Sequence, residues 1–126
     1  MIDLIEQPIP DVTEDDVERV ARRDFGDAQL VHVLAALDEH DRQWDGAPSA
    51  RIRLAILKVA AGDRSRLRES VQDAIEDYRD VLAAAEYPRY SREIGFDDAP
   101  DALRRKVIYA DWAQYCMWLG REPTPA

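Results

Sequence analysis

This sequence predicts an all-α domain, on three observations. Apolar residues recur at helical spacing in five separate stretches, capping and stop residues stand at the ends of those stretches, and no alternating apolar and polar run is long enough for a strand. At 126 residues, 34% charged and 46% hydrophobic, with five Gly and seven Pro, the chain suits one folding unit and is neither collagen-like, low-complexity nor disordered. The expected architecture is a single-domain bundle of about five helices, near 14–25, 28–43, 50–61, 64–86 and 99–119, with an extended lead-in 1–12 and a flexible tail 120–126.

The lead-in mixes Ile and Leu with Pro8 and Pro10, which favours an extended segment along the core. Thr13 followed by Glu14, Asp15 and Asp16 reads as an N-cap with acids in the first turn, where the helix dipole favours them. Val17, Val20, Ala21 and Phe25 form the apolar stripe of this first helix, and Gly26 stops it. Asp27 is the expected cap of the second, whose buried side is Leu30, Val33, Leu34 and Leu37 and whose polar end is DEHDRQ. Trp44 to Ser49 is a loop with a turn at Pro48 and a cap at Ser49. The third helix is apolar over much of its circumference, which predicts a central position. Gly62 is the expected left-handed C-cap and Asp63 the next N-cap, so helices three and four should pack as a hairpin or corner.

In the fourth helix Leu67, Val71, Ala74, Ile75, Tyr78, Val81, Leu82 and Ala85 gather on one side at about 100° per residue, with Glu69, Asp73, Glu76 and Asp80 opposite. Pro88 ends it and pushes Tyr87 toward an extended conformation. The stretch from Tyr87 to Pro100 reads as irregular, with room for one short turn after Ser91. Asp98 with Pro100 opens the last helix, which apolar residues such as Leu103, Val107, Cys116 and Met117 surround so far that its second half should be either largely buried or an interface, and Gly120 closes it.

Of the net charge of −9, all sits in the first part of the chain: 13 acids face four bases up to Pro48, and 13 of each sign follow. That sign argues against nucleic acid and anionic membranes as partners. The longest apolar stretch, Leu54 to Ala61, is broken by Lys58 and falls far short of the roughly 20 residues that span a bilayer. One Cys and an acidic opening without signal-peptide character point to the cytoplasm. Fifteen of the 17 basic residues are Arg and there is no Asn, a bias of GC-rich bacterial genomes.

Site signatures are absent: there is no GxGxxG, GxxxxGK[ST], GxSxG, HExxH or CxxC. His32 and His40 are two turns apart, about 12 Å along a helix, too far to share an ion. The pair therefore reads, with Asp38, Glu39 and Asp41, as surface polarity at a helix end. Cys116 lies at the C-terminal end of its helix, the wrong end of the dipole for an activated thiolate. Glu69, Asp73, Glu76, Asp77 and Asp80 face away from the apolar stripe, whereas di-metal bundles need inward acids. No catalytic residue, cofactor or metal is expected, and the balance leans against an enzyme.

The polar residues that stand out border the fourth helix. Arg68, Arg79 and Glu86 flank its apolar stripe, where an Arg can hold a carboxylate in bidentate fashion, and Tyr78 lies within it. The structural reading is an ion pair orienting this helix against the last one or the loop. Tyr90 and Trp118 are the aromatics expected at the surface, in a chain whose aromatics concentrate in loops and the final helix. Glu14, Asp15 and Asp16 make an acidic N-terminal surface.

From Arg51 to Pro88 the chain resembles a segment, RLAxLKxAxGDxxRLRxxVxxAxxDYRDVLAxAEYP, of small uncharacterised bacterial proteins. That resemblance implies an all-helical, cytoplasmic bacterial protein and transfers no catalytic residue. The favoured function is a noncatalytic protein-interaction or self-associating helical module, with a protein partner or a homo-oligomer, using the aromatic C-terminal helix or the acidic N-terminal part. One alternative is an immunity- or antitoxin-like acidic neutraliser of a basic partner. The other is a small-ligand protein or enzyme with a cleft beside the fourth helix, built from Tyr78, Arg79 and Glu86.

Overall fold

The computed structural model describes residues 7–44, 49–95 and 97–121. Residues 1–6 of the lead-in, the turn expected at Pro48, Phe96, and residues 122–126 of the tail lie outside them. The fold is all-α, with no strand among the described residues. Its helices are α1 (Glu14–Phe25), α2 (Leu30–Gln43), α3 (Ala50–Ala60), α4 (Arg64–Glu86), α5 (Pro88–Glu93) and α6 (Asp101–Leu119). The chain divides into two compact units, Asp11–Ala85 and the remainder, the residues up to Pro10 with those from Glu86 onward.

In the Asp11–Ala85 unit α1 packs on both α3 and α2. Val17, Val20 and Ala21 are fully buried and Phe25 half-buried, as the stripe requires. Asp16 closes the first turn of α1 by accepting the Thr13 backbone N–H at 3.0 Å. Gly26, at φ 86°, ends the helix. Asp27 does not cap α2 directly. It opens a single 3₁₀ turn, Asp27–Gln29, and the α-helix starts at Leu30, two residues later than expected.

The Ser49 side chain accepts the Ile52 N–H at 3.3 Å, starting α3, in which Ile52, Leu54, Ala55, Ile56, Leu57 and Ala60 are all buried. The helix packs closely on α1. The turn after α3 also differs in detail. Ala61 takes the left-handed cap (φ 51°, ψ 40°) and Gly62 follows at φ 78°. A Cβ on Gly62 would lie 2.9 Å from the Asp24 carbonyl oxygen, so glycine there serves close packing against the end of α1 as well as the turn. Asp63 then caps α4, accepting from Ser65 N–H (2.8 Å) and Arg66 N–H (3.1 Å).

Helix α4 is not the unbroken rod its periodicity suggests. Asp77 is extended (φ −155°, ψ 97°), and its carboxylate accepts the Arg79 backbone N–H at 3.1 Å, so it acts as an internal cap that restarts the helix. Apolar period alone does not reveal such a break, because Val81 and Ala85 return to the buried side beyond it, with Leu67, Val71 and Ala74 before it. Tyr78, the first residue after the break, leaves the stripe and stands 37% exposed.

In the other unit the stretch from Tyr87 to Pro100 is only partly irregular. Helix α5 starts at Pro88, earlier than the turn expected after Ser91. Pro88 has no N–H to satisfy, and the buried carboxylate of Asp111, on α6, accepts the next two, Arg89 at 3.1 Å and Tyr90 at 2.8 Å. The Tyr87 hydroxyl donates to the Pro8 carbonyl at 2.6 Å, tying the lead-in to this unit. Helix α6 buries Val107, Ile108, Tyr115, Cys116 and Leu119. Gly120 closes it in the left-handed conformation, and the Arg121 N–H reaches back to the Cys116 carbonyl at 2.8 Å. Leu103 and Met117 are 45% and 70% exposed.

Candidate functional site

The acidic N-terminal surface is largely committed within the fold. Asp16 is buried, caps α1 and also accepts from Arg19 at 3.2 Å. Glu14 and Asp15 are both exposed, Glu14 accepting from Arg53 at 3.3 Å and Asp15 lying among Glu18, Arg19, Arg22 and Arg23 on a shallow face.

Arg53, on α3, gathers three carboxylates. Its Nε donates to Asp41 Oδ2 at 2.8 Å, its Nη2 to Asp38 Oδ1 at 2.6 Å and also to Asp41, and its Nη1 to Glu14. Burial opposes the guanidinium charge, but the hydrogen bonds it donates to Asp41 and Asp38 and the nearby charges of Asp41 and Glu14 more than offset it, so its pKa is raised. Part of the apparent surplus of negative charge in the first 48 residues is thus answered by a base outside them.

His40 is fully buried, contrary to its reading as surface polarity. Its Nδ1 lies 3.2 Å from Asp41 Oδ1, and its Nε2 has no hydrogen-bond partner among the described residues. The imidazole lies against Trp44 (ring centroids 5.7 Å apart), and Trp44 against Tyr78 (5.6 Å). The polar string DEHDRQ concealed this, because a 3.6-residue period carries His40 onto the Val33 and Leu37 side only if a polar residue is allowed in an apolar stripe.

The four residues singled out around the fourth helix do not form one cluster. Arg79 is highly exposed and donates to Asp77 at 3.1 Å, within the cap at the break and not across helices. Arg68 is exposed instead of partly covered, and Glu86 is buried at the end of α4, where its backbone carbonyl accepts the Gln114 Nε2–H at 3.5 Å. Tyr90 and Trp118 are half-buried, not exposed. Arg104 donates to the Tyr90 hydroxyl at 3.4 Å, and Trp118 packs on Tyr115 with ring centroids 5.5 Å apart.

The outward acids of α4 are as expected. Asp73, Glu76 and Asp80 are exposed around a depression of about 360 Å³, and no group of His, Cys, Asp or Glu among the described residues is placed to hold a metal ion. Cys116 is buried.

One surface has the character of a contact face. Along the outer side of α6, Leu103, Ala110 and Met117 follow one another at seven-residue intervals with Lys106 and Ala113 between them, and Tyr109 stands 52% exposed at the edge. Leu103, Tyr109 and Met117 are three of the six large apolar side chains exposed on the described chain. No helix among the described residues is long and apolar enough to cross a membrane. No protein-family model, curated protein or solved structure matches the chain.

Proposed function

We propose that the protein is a noncatalytic helical association module that pairs with a second copy through the outer face of α6. The observation that carries this reading is the heptad-like row Leu103, Lys106, Ala110, Ala113 and Met117 on the exposed side of that helix. Apolar residues at this spacing form the seam of paired helices, and alanines let two backbones approach closely. The two apolar ends of the row, Leu103 and Met117, are also equidistant from Ala110. An antiparallel pair with its two-fold axis there sets Leu103 of one copy against Met117 of the other, a self-complementary match that favours a second copy over an unrelated partner. Lys106 then falls opposite Gln114, where its ammonium stays at the rim.

Sedimentation velocity at tens of micromolar tests the reading. A dimer is expected, and the double substitution Leu103→Glu with Met117→Glu should weaken it by at least about tenfold, since it places like charges in the apolar seam. A wild-type chain that stays monomeric, or a dimer indifferent to both substitutions, removes the proposal.

A further inference from the structure

The first turns of α4 carry three arginines, Arg64, Arg66 and Arg68, that form no ion pair among the described residues. Most other arginines of this chain do pair, and the N-terminal end of a helix is where the backbone dipole disfavours cations. The one acid at that end, Asp63, spends its carboxylate on the Ser65 and Arg66 backbone N–H groups. Uncompensated cations in an unfavourable place, on a chain with a net charge of −9, ask for an anion from elsewhere.

Arg64 and Arg68 are one turn apart and share a face. That face and the outer side of α2 line a groove of about 380 Å³, the size of a small-molecule site. Val33 and Leu67, both buried, make its floor, and His32 and Arg42 stand on the α2 side. Glu39 also lines the groove, but Arg42 and Gln43 both donate to its carboxylate and hold its pKa below the usual carboxylate range, so it leaves Arg64 and Arg68 uncommitted. Two guanidinium forks above an apolar floor suit an oxyanion attached to a compact apolar body.

We infer that this groove between α2 and the start of α4 binds a small organic oxyanion, a carboxylate or a phosphate ester, through Arg64 and Arg68. The inference is independent of pairing through α6. Amide-resolved NMR titration with benzoate and with phenyl phosphate, with inorganic phosphate as the bare anion, is the test. Both organic probes should shift the signals of Val33, Ala36 and Leu67 more than inorganic phosphate does, and the stronger of the two identifies the headgroup. Arg64→Gln with Arg68→Gln should weaken binding at least about tenfold while leaving the remaining spectrum in place, and Arg66→Gln, about 200° around from Arg64, should leave it nearly unchanged. Absent groove shifts at millimolar probe, equal binding by the double variant, or a response to poly-glutamate alone would overturn the inference, the last in favour of an acidic macromolecule.

Discussion

Arg53, in the Asp11–Ala85 unit, and Asp111, in the unit that contains α6, are both largely buried charges that collect partners, yet they do so by different physics. Arg53 meets three separate carboxylates at the margin of its unit, a redundant charge–charge node in which Glu14 and Asp38 remain more than half exposed. Asp111 meets two backbone amides, a charge–dipole contact with a single acceptor and no substitute. A redundant, partly wet node should be tolerant and salt-sensitive, and a dry single acceptor should be neither.

The largest effect is therefore expected at Asp111. Replacing it with Ala leaves two N–H groups of α5 without their acceptor, a loss of about 3 kcal/mol in denaturant unfolding, and Asp111→Asn, which keeps one oxygen, should recover part of it. A loss under about 1 kcal/mol would mean that water replaces the carboxylate and the site is not dry. Next comes Arg53→Ala, expected to cost about 2 kcal/mol because Glu14, Asp38 and Asp41 are left facing one another without their cation. About 0.5 M salt should shrink the Arg53 difference and leave the Asp111 difference as it is; equal salt responses would erase the contrast between them.

The smallest effect is a matter of acidity. Hydrogen bonds from the Arg79 side chain and backbone hold the Asp77 carboxyl below its ordinary value of 3.8. A carboxyl whose pKa is lower in the folded than in the unfolded chain contributes stability that is fully present above the unfolded value and is lost as pH falls through the folded one. Wild type should thus gain slightly over Asp77→Asn above about pH 4 and lose that gain below it, read from urea midpoints across that range. A difference between the two that does not change with pH would show that the cap acts by shape alone.

Helix positions were legible because local chemistry specifies them. Thr13 with Asp16, Ser49, Asp63 and Gly120 each terminate or start a helix through bonds to residues two to four positions away. The hidden features are those in which a polar residue answers a group distant in sequence. Asp111 reads as one acid among several on a mixed helix until α5 sets its amides against it, 21 and 22 residues away. Arg53 carries no signal of its own in the sequence, because the carboxylates that α1 and α2 bring around it lie 39, 15 and 12 residues away. His40 is hidden for another reason, since its neighbours Asp41 and Trp44 are close in sequence and it takes a stripe position that the period reserves for apolar residues. Beside the fourth helix, Arg68 stands out by its place at the border of the stripe, whereas Arg64, the base it shares a groove with, carries no signal of its own in the sequence.

Composition, apolar period and capping chemistry by themselves determined an all-α chain, its main helices and the outward direction of the α4 acids, since each depends on neighbours within a turn or two. Tertiary structure decided which charges are spent and which remain available. It bound Glu14 and Asp16 into the fold, buried His40 and Asp111, exposed Leu103 and Met117, and left Arg64 and Arg68 beside a groove with no ion pair among the described residues. A charge or an apolar side chain acquires its role from what stands across from it, and in this chain those groups come from distant segments.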